Sequence, residues 1–555
     1  MTAIKTDPLN ELARDFWAWR IINQPLTHDD IPRIERPPDW VPDWSQEAIA
    51  KRRQALTEFE SRWRRIDAST WLIPQHVDYR LIGSALARVR WEFEITRGWE
   101  RNPKFYIDHT LGAIFTQLVQ PPPFDSTRSA AIVNQVAGIP RTIDDAKANL
   151  DQTAVGPLAI AALEDLKDVR PRLLEFAREI KPLLSGESAD RIDPAAEAAA
   201  DALEDFRDWL NQRLPSMQEI TAVGREAYEF FLKYVALMPF TPEQLLEMGR
   251  QEWDRSVAFE TWEQNRNRGL PGLSIFSDQA AQIEREKQDE NAIREFLEKN
   301  NILTVPEWMQ HYRNLPIPAY LKPLASLGVL DDLTSATRLN ENGLRYIDPP
   351  SPSLAYFELS CAQDTRPLIV HEGVPGHYFQ MTLSWAHEDW IRRHYYDSGA
   401  NEGIGFYAEE MMLQAGLFDD SPRTREIIYN FMRLRALRVE VDVKLALGLF
   451  TIDQAAEYLE TAVPVDRETA RFEAVFFASS PGQAITYQIG KLQIIRFLAD
   501  ARRIQGEKFN LREFHDYLWK NGNAPIALLR WEYLGLSDEI EFLDEGHVPS
   551  TKADR

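Results

Sequence analysis

Two histidines and a glutamate lie close together in the segment His371-Glu372-Gly373-Val374-Pro375-Gly376-His377. Two imidazoles and one carboxylate form the ligand set of a catalytic zinc ion, which keeps one coordination position open for water. A glutamate directly after the first histidine is where zinc peptidases hold their general base. The chain must therefore fold so that both histidines can reach one metal ion.

The spacing of the histidines predicts a break in the helix between them. Residues six apart on a straight α-helix are turned by about 240°, so their side chains cannot both reach one ion. Pro375 and Gly376 lie in the gap. Proline removes a backbone donor, and glycine tolerates the distorted backbone that results. We predict a bulged or broken turn that returns His377 toward His371; two unrelated histidines at a helix end are the alternative.

An acidic cluster downstream offers the third ligand. Glu402 and Glu409 are seven residues apart, which places them about 20° from eclipsed on a helix. We favour Glu402, at the start of a predicted helix over residues 402–416, because a two-histidine site needs an anionic ligand and the helix dipole favours a negative charge there. Glu409 shares this helical face, so it could reach the ion instead, and a solvated face is its other interpretation. Glu410 is expected on a solvated face.

Composition limits the classes of partner. The 555 residues carry a net charge of −23, with a sequence pI near 5.0. Nucleic acid and anionic membranes both need a basic face, so neither is expected as a partner. Residues 1–12 contain charges and no apolar core of a signal peptide, which predicts a cytoplasmic protein. We expect a small-molecule or oligopeptide substrate, and the sequence leaves the oligomeric state open.

Helical periodicity dominates the chain and predicts a mainly α fold, a large single-unit helical metallopeptidase-like fold. Alternating apolar residues in Ala355–Leu359 predict a small strand element beside the metal site. Thr241-Pro242-Glu243 is a strong helix start. We predict an N-terminal helical region over residues 1–240 and a C-terminal helical catalytic region with the zinc site over residues 241–555, joined in one continuous globular unit.

Three blocks of sequence resemble a known bacterial family, the one catalogued as domain of unknown function 885. Residues 371–380 match H-E-x-x-P-G-H-x-x-Q, residues 402–409 are similar to E-G-W-A-x-Y-x-E, and residues 481–491 resemble P-G-Q-A-x-x-Y-x-x-G-K. Members of this family are similar to zinc peptidases of the gluzincin kind. The resemblance is specific over about residues 360–530.

The resemblance implies a mostly helical fold with a buried Zn²⁺ site. It carries over His371, His377 and Glu402 as metal ligands and Glu372 as general base. Tyr487 would donate its hydroxyl to the oxyanion. The further site residues that we predict are Arg438 for oxyanion stabilisation, Lys491 and Gln483 for substrate binding, and Gln380 with Glu409 as supports of the metal ligands.

Two departures from the family pattern leave the substrate open. Ile404 stands where the family has tryptophan, and Ala446 stands where it has histidine. The first hypothesis is a zinc metallopeptidase that cleaves short peptides by a metal-activated water. The second is a metal-dependent hydrolase or lyase that acts on a non-peptide small molecule. A catalytically silent binding protein is the third, and the intact Glu372 argues against it because a structural zinc needs no base.

Overall fold

The computed structural model describes residues 7–26 and 34–545. Residues 1–6, on which part of the signal-peptide argument depends, lie outside the described residues, as do residues 27–33 and 546–555. The predicted mainly α class is confirmed, and a small sheet accompanies the helices.

The first part of the chain is a succession of helices that starts at Asp7, whose carboxylate accepts the backbone N–H of Leu9. The helices are α1 (Pro8–Asn23), α2 (Gln46–Arg64), α3 (Ile73–Arg90), α4 (Gly98–Arg101), α5 (Pro103–Ile107), α6 (Ala113–Val119), α7 (Ser126–Leu150), α8 (Gly156–Asp165), α9 (Val169–Ile180), α10 (Glu187–Arg213) and α11 (Arg225–Phe230). π-helical turns cover Trp91–Thr96, Asp108–Gly112 and Phe231–Val235, and 3₁₀ turns cover Lys181–Leu183 and Leu214–Ser216.

The second part begins at the predicted helix start. Thr241 caps the helix by accepting the N–H of Gln244, and the Gln244 side chain accepts the N–H of Thr241, a reciprocal capping box. The helices are α12 (Pro242–Arg266), α13 (Gln279–Lys299), α14 (Tyr356–Gln363), α15 (Arg366–Leu368), α16 (His377–Trp385), α17 (Trp390–His394), α18 (Ser398–Ala415), α19 (Pro422–Ala446), α20 (Ile452–Ala462), α21 (Arg467–Ser479), α22 (Ile485–Gln505), α23 (Leu511–Lys520), α24 (Ile526–Leu534) and α25 (Asp538–Asp544). A π-helical turn covers Ile369–Gly373, and 3₁₀ turns cover Lys322–Leu327 and Gly506–Lys508.

The sheet lies between α13 and α14 in sequence, not where the sequence predicted it. Its strands are β1 (Tyr312–Pro316), β2 (Asp331–Asp332) and β3 (Gly343–Ile347). The strand order is β1-β3-β2, with β1 parallel and β2 antiparallel to β3, and Tyr312 pairs with Gly343. The predicted strand over Ala355–Leu359 is wrong, because these residues lead into α14. A short apolar run does not by itself separate a strand from a buried helix.

The sheet nevertheless supports the metal segment. A methyl group at Gly373 would lie 2.6 Å from the ring of Tyr312 on β1, and one at Gly343 on β3 would lie 2.4 Å from the ring of Tyr378. In both contacts an aromatic ring occupies the space that a side chain at the glycine would need. The predicted small strand element is therefore beside the histidine segment, although different residues form it.

One hydrophobic cluster joins both ends of the described chain. It includes Leu9 and Phe16 of α1 together with Trp519 of α23 and Leu543 of α25. The predicted division at residue 240 falls between the π-helical turn Phe231–Val235 and α12. The division into two regions stays a prediction, and the hydrophobic core continues across residue 240.

Helices α18 and α22 approach each other through glycines. A methyl group at Gly490 would lie 2.2 Å from the carbonyl oxygen of Gly399 and 2.8 Å from the Cα of Gly403. Backbone therefore packs directly on backbone, which fixes the distance between the helix that carries Glu402 and the helix that carries Tyr487. Among the described residues, no helix combines the length and the apolar character needed to cross a membrane.

Gly490→Ala should destabilise the protein. Alanine normally stabilises a helix interior by about 1 kcal/mol relative to glycine, but here its methyl group meets the backbone of α18, and overpacking costs about 1–3 kcal/mol or more. Thermal and urea unfolding should show lower midpoints for this variant. Gly272→Ala is the control, because a methyl group there meets nothing within 4 Å. Equal stability of Gly490→Ala and the native protein would contradict the close approach.

Candidate metal centre

The chain between the two histidines is broken in the way that the sequence predicted. The π-helical turn Ile369–Gly373 ends where the N–H of Val374 donates to the carbonyl of Ile369, 2.8 Å away. Val374 is extended, and α16 starts at His377. The two imidazole rings meet with their centroids 4.7 Å apart and their planes at 76°.

Neighbouring residues fix this turn from both sides. A methyl group at Gly376 would lie 1.7 Å from the carbonyl oxygen of His371, so the backbone passes closer here than any side chain allows. The indole N–H of Trp519 on α23 donates to the carbonyl of Pro375 at 2.7 Å. Trp519 is fully buried. The return of His377 toward His371 is therefore held by packing and by a buried hydrogen bond.

Helix α18 brings Glu402 to the two histidines. Its Oε2 lies 3.5 Å from Nε2 of His371 and 3.4 Å from Nε2 of His377. All three residues are buried, and their candidate ligand atoms lie within 4.8 Å of one another. The prediction that Glu402 starts its helix is wrong: α18 starts at Ser398, where Asp397 is the N-cap, so Glu402 lies in the second turn.

The spacing of these atoms fits a small divalent cation. A tetrahedral zinc with bonds of about 2.0–2.1 Å holds its ligand atoms about 3.3–3.4 Å apart. The two distances from Glu402 Oε2 to the imidazole nitrogens are close to this value. Within the described part of the chain, Glu402 Oε2 is buried without a hydrogen-bond partner. Such an oxygen is costly to bury unless a cation or a proton donor meets it.

Glu409 lies on the other side of His371. Its Oε1 is 2.6 Å from Nδ1 of His371 and 3.0 Å from Nη2 of Arg435 on α19. The seven-residue spacing on α18 thus places one carboxylate at each nitrogen of the same imidazole. A carboxylate at Nδ1 fixes the ring orientation and leaves Nε2 for a ligand.

Arg435 is a residue that sequence reasoning missed. It is buried, and its guanidinium lies 5.1 Å from the ring centroid of Phe406 as well as beside Glu409. Its position three residues before Arg438 puts both arginines on one face of α19. That i, i+3 pair in an otherwise apolar stretch was the signal in the sequence.

The electrostatics of the cluster favour a positive charge at its centre. Burial would lower the pKa of His371, but the carboxylates of Glu402 and Glu409 outweigh it and raise the pKa to about 9. Burial would raise the pKa of Glu402, but His377 and His371 hold it well below its usual range. An imidazolium or a bound cation satisfies the same two carboxylates.

Glu372 occupies a different environment from the ligands. It is only partly buried, and no hydrogen bond to its carboxylate is present within residues 7–26 and 34–545. Its charge acts on Asp331: burial raises the pKa of Asp331 to about 6, Arg345 opposes this, and Glu372 adds to it. Asp331 accepts a hydrogen bond from Tyr312 and lies 2.6 Å from Arg345. Glu372 thus follows a candidate ligand in the chain, and its carboxylate makes no hydrogen bond to another described residue.

Tyr487, on α22, lies close to the candidate ligand His371. Its ring is nearly parallel to that of His371, with centroids 6.5 Å apart and planes at 14°. The guanidinium of Arg438 covers the same ring at 4.6 Å and pairs with Glu473. Arg438 therefore reaches the predicted site through Tyr487, while its hydrogen bonds go to Glu473. Its direct role in oxyanion stabilisation stays a prediction.

The start of α22 is held by a buried acid. Asp442 on α19 accepts the N–H of Gly482 at 2.8 Å and that of Ile485 at 3.2 Å. Burial raises the pKa of Asp442 to about 7, against these hydrogen bonds. The contact ties the segment before Tyr487 to the helix that carries Arg435 and Arg438.

Lys491 and Glu410 are placed otherwise than their sequence suggested. The amine of Lys491 is fully buried, 2.8 Å from Glu410 and 3.3 Å from Glu252. Glu410 also pairs with Arg255 at 2.8 Å, so the prediction of a solvated face for Glu410 is wrong. These ion pairs join α12, α18 and α22. Substrate binding by Lys491 stays a prediction that its buried pairing does not favour.

The two predicted glutamines lie near the cluster. Gln380 is fully buried and accepts a hydrogen bond from Asn401, the neighbour of Glu402, at 3.0 Å. It thus supports the helix turn of Glu402 and not a histidine ring. Gln483 lines a cavity between helices of the first and second parts of the chain. Its predicted contact with substrate stays a prediction.

Two solved structures share this fold. One is described as "a putative lipoprotein of unknown function from Shewanella oneidensis", with a TM-score of 0.71, 17% identity, and coverage of 96% of this chain and 100% of that one. The other is "the putative lipoprotein from Colwellia psychrerythraea", with a TM-score of 0.74, 15% identity, and coverage of 97% and 100%. At these identities the likeness shows the fold alone. The cytoplasmic location stays a prediction, because a shared fold does not carry a shared location.

Sequence comparison identifies the family. None of the curated proteins matches the chain. A family model does match, over residues 34–532, and this range contains the histidine segment, Glu402, Glu409 and Tyr487. The chain therefore belongs to the family described as bacterial protein of unknown function (DUF885).

Proposed function

We propose that this protein is a zinc-dependent hydrolase that cleaves short peptides. The observation that carries the proposal is the convergence of His371, His377 and Glu402 at distances that suit one small cation. Glu372 directly follows His371 in the chain. The likeness of H-E-x-x-P-G-H to the motifs of gluzincin peptidases supports the same reading. Zinc would supply Lewis-acid polarisation of a carbonyl and a lower pKa for water.

His371, His377 and Glu402 would hold the ion, and each of the two histidines has a support. Glu409 fixes the ring of His371 through Nδ1, and Arg435 holds Glu409. The buried hydrogen bond from Trp519 to Pro375 keeps His377 in place. Loss of such a support typically lowers metal affinity or activity by about 10–100-fold.

Glu372 would act as the general base. A carboxylate that makes no hydrogen bond to protein can accept a proton from the attacking water and pass it to the leaving amine. The neighbouring Asp331 is neutralised by Arg345, which leaves Glu372 as the available proton acceptor on this side.

Tyr487 would donate its hydroxyl to the oxygen that gains negative charge. A single donor of this kind is worth about 10²–10³ in kcat. Arg438, 4.6 Å from the Tyr487 ring, favours a negative charge at that end of the site and holds the ring in place. Peptide amides suit this arrangement, since the reaction needs a base, an oxyanion donor and a proton for the leaving amine.

Purified protein should bind about one zinc per chain, because the candidate ligands form a single three-residue site. His371→Ala and His377→Ala should lose the metal, as elemental analysis after dialysis would show. His311→Ala is the control, since this histidine has a side chain that is 43% exposed and pairs with Glu290. Full zinc occupancy in both of the first two variants would refute the ligand assignment.

Glu402→Ala and Glu409→Ala should differ in zinc affinity. Loss of a ligand should abolish tight binding, whereas loss of the group that orients His371 should cost about 10–100-fold. Competition with a fluorescent chelator measures both affinities. The reverse order would make Glu409 the ligand and Glu402 its support.

Glu372→Gln should keep the zinc and the fold but lose most hydrolytic activity, because an amide cannot accept the proton of water. The measurement is digestion of a peptide library by native protein and variant, each with and without chelator, alongside zinc content and thermal unfolding. Near-normal turnover in the variant would exclude Glu372 as the base. No chelator-sensitive cleavage by the native protein would overturn the proposed peptidase activity itself.

A further inference from the structure

A cavity of about 350 Å³ lies between helices of the first part of the chain and helices of the second part. Residues of α1, α3, α16 and α17 and of the segment before α22 line it. The volume falls at the lower end of the range of about 300–1,000 Å³ for small-molecule sites. His371, His377 and Glu402 are not among its lining residues.

Helix geometry connects the cavity to the cluster. Met381 and Ser384 line the cavity from α16, and they lie about 40° and 20° from His377 on the helix surface. Ser398 lines it from α18, about 40° from Glu402. The cavity therefore continues along the same helix faces that carry the candidate ligands, about one helical turn away.

The charged groups of the cavity wall are mostly satisfied by partners of their own. Arg20 forms a two-point pair with Glu92, at 2.5 and 2.6 Å. Lys104 pairs with Asp165. Glu35 accepts hydrogen bonds from the hydroxyls of Ser335 and Thr337. These groups have little hydrogen-bonding capacity left for a ligand.

Two arginines on the cavity wall keep donors available. Arg88 of α3 has a side chain that is 28% exposed, and its nearest carboxylate, Asp397, is 3.9 Å away, beyond hydrogen-bond distance. Asp397 is itself engaged in capping α18. Arg393 of α17 donates from Nε to the carbonyl of His387, and its terminal nitrogens have no partner in the described ranges. A guanidinium carries five N–H donors in a fork that matches a carboxylate.

We infer that this cavity is the substrate cleft and that Arg88, with Arg393, binds the free carboxylate at the C-terminus of a short peptide. The inference rests on the proposed hydrolase function for its substrate class. A peptide that places its scissile bond at the cluster extends over the faces of α16 and α18 into the cavity. Its terminal carboxylate then meets the guanidinium groups of Arg88 on α3 and Arg393 on α17, two helices that pack against each other, and aromatic residues that line the cavity contact its side chains.

The test compares two forms of one mixed tetrapeptide library, with a free C-terminal carboxylate and with a C-terminal carboxamide. Zinc-loaded Glu372→Gln protein is incubated with both forms, and the retained peptides are counted by mass spectrometry. Free acids should be retained about 10- to 100-fold better than amides, as expected for a hydrogen-bonded charge pair. Equal retention of both forms, or no retention of either, would overturn the inference.

Single substitutions identify the residues that cause the preference for free acids. Arg88→Gln, in the same Glu372→Gln background, should remove most of the preference for free acids, and Arg393→Gln should reduce it. Arg503→Gln is the control, because this arginine is 68% exposed and lies outside the cavity. An unchanged preference in both cavity variants would place the carboxylate site elsewhere and overturn the assignment.

Cleavage by the native protein separates this inference from the proposed function. Retention of free acids without any cleavage would sustain the carboxylate site and contradict the hydrolase. Cleavage of acids and amides at equal KM would sustain the hydrolase and contradict the carboxylate site. With both correct, Arg88→Gln should raise KM for free acids by at least about ten-fold and leave kcat close to the native value, since the contact is remote from the reacting bond.

Discussion

The buried carboxylate of Glu402 between two buried imidazoles is the interaction on which the rest of the site depends. A carboxylate removed from water is unfavourable unless opposite charge and hydrogen bonds compensate for it. The surrounding groups come in compensating pairs: Glu409 with Arg435, Glu473 with Arg438, and Asp331 with Arg345. At Glu402 Oε2 the described residues provide imidazole nitrogens at 3.4 and 3.5 Å and no hydrogen-bond donor in good geometry. A cation at the centre of the cluster would therefore supply the positive charge that Glu402 lacks.

Two periodicities place the groups around that point. On α18, a spacing of seven residues returns to nearly the same face after two turns, so Glu402 and Glu409 bracket His371. On the histidine segment, a spacing of six residues does not, and the backbone has to leave the helix between them. The contact of Gly376 with the carbonyl of His371 shows how little room the return leaves. The seven-residue spacing lets a regular helix place both carboxylates on one face, whereas the six-residue spacing of the histidines requires an irregular turn. Both results follow from the rotation of about 100° per residue of an α-helix.

Much of this arrangement could be predicted from the sequence because it is local. The capping box at Thr241, the broken turn at Pro375 and Gly376, and the shared face of Glu402 and Glu409 each depend on residues close in the chain. The errors arose where packing between distant segments decides. Alternation in Ala355–Leu359 resembles a strand, yet α14 follows at Tyr356. Glu410 resembles a surface residue, yet Lys491 and Arg255, 81 and 155 residues away in the chain, bury it. Arg435 has no local signature beyond its spacing from Arg438.

The position of the cavity also suggests a role for the N-terminal helices. The candidate ligands, the candidate base and the candidate oxyanion donor all come from residues after 370, and none of the proposed chemistry needs α1 or α3. Those helices instead pack in the same hydrophobic cluster as the helices that carry the candidate site, and they line the cavity. Under the proposed function, a metal site on an open surface would accept any peptide segment that reached it. The cavity would instead limit both the length of a bound peptide and the charge at its end, so substrate selection would belong to the region that carries no candidate metal ligand.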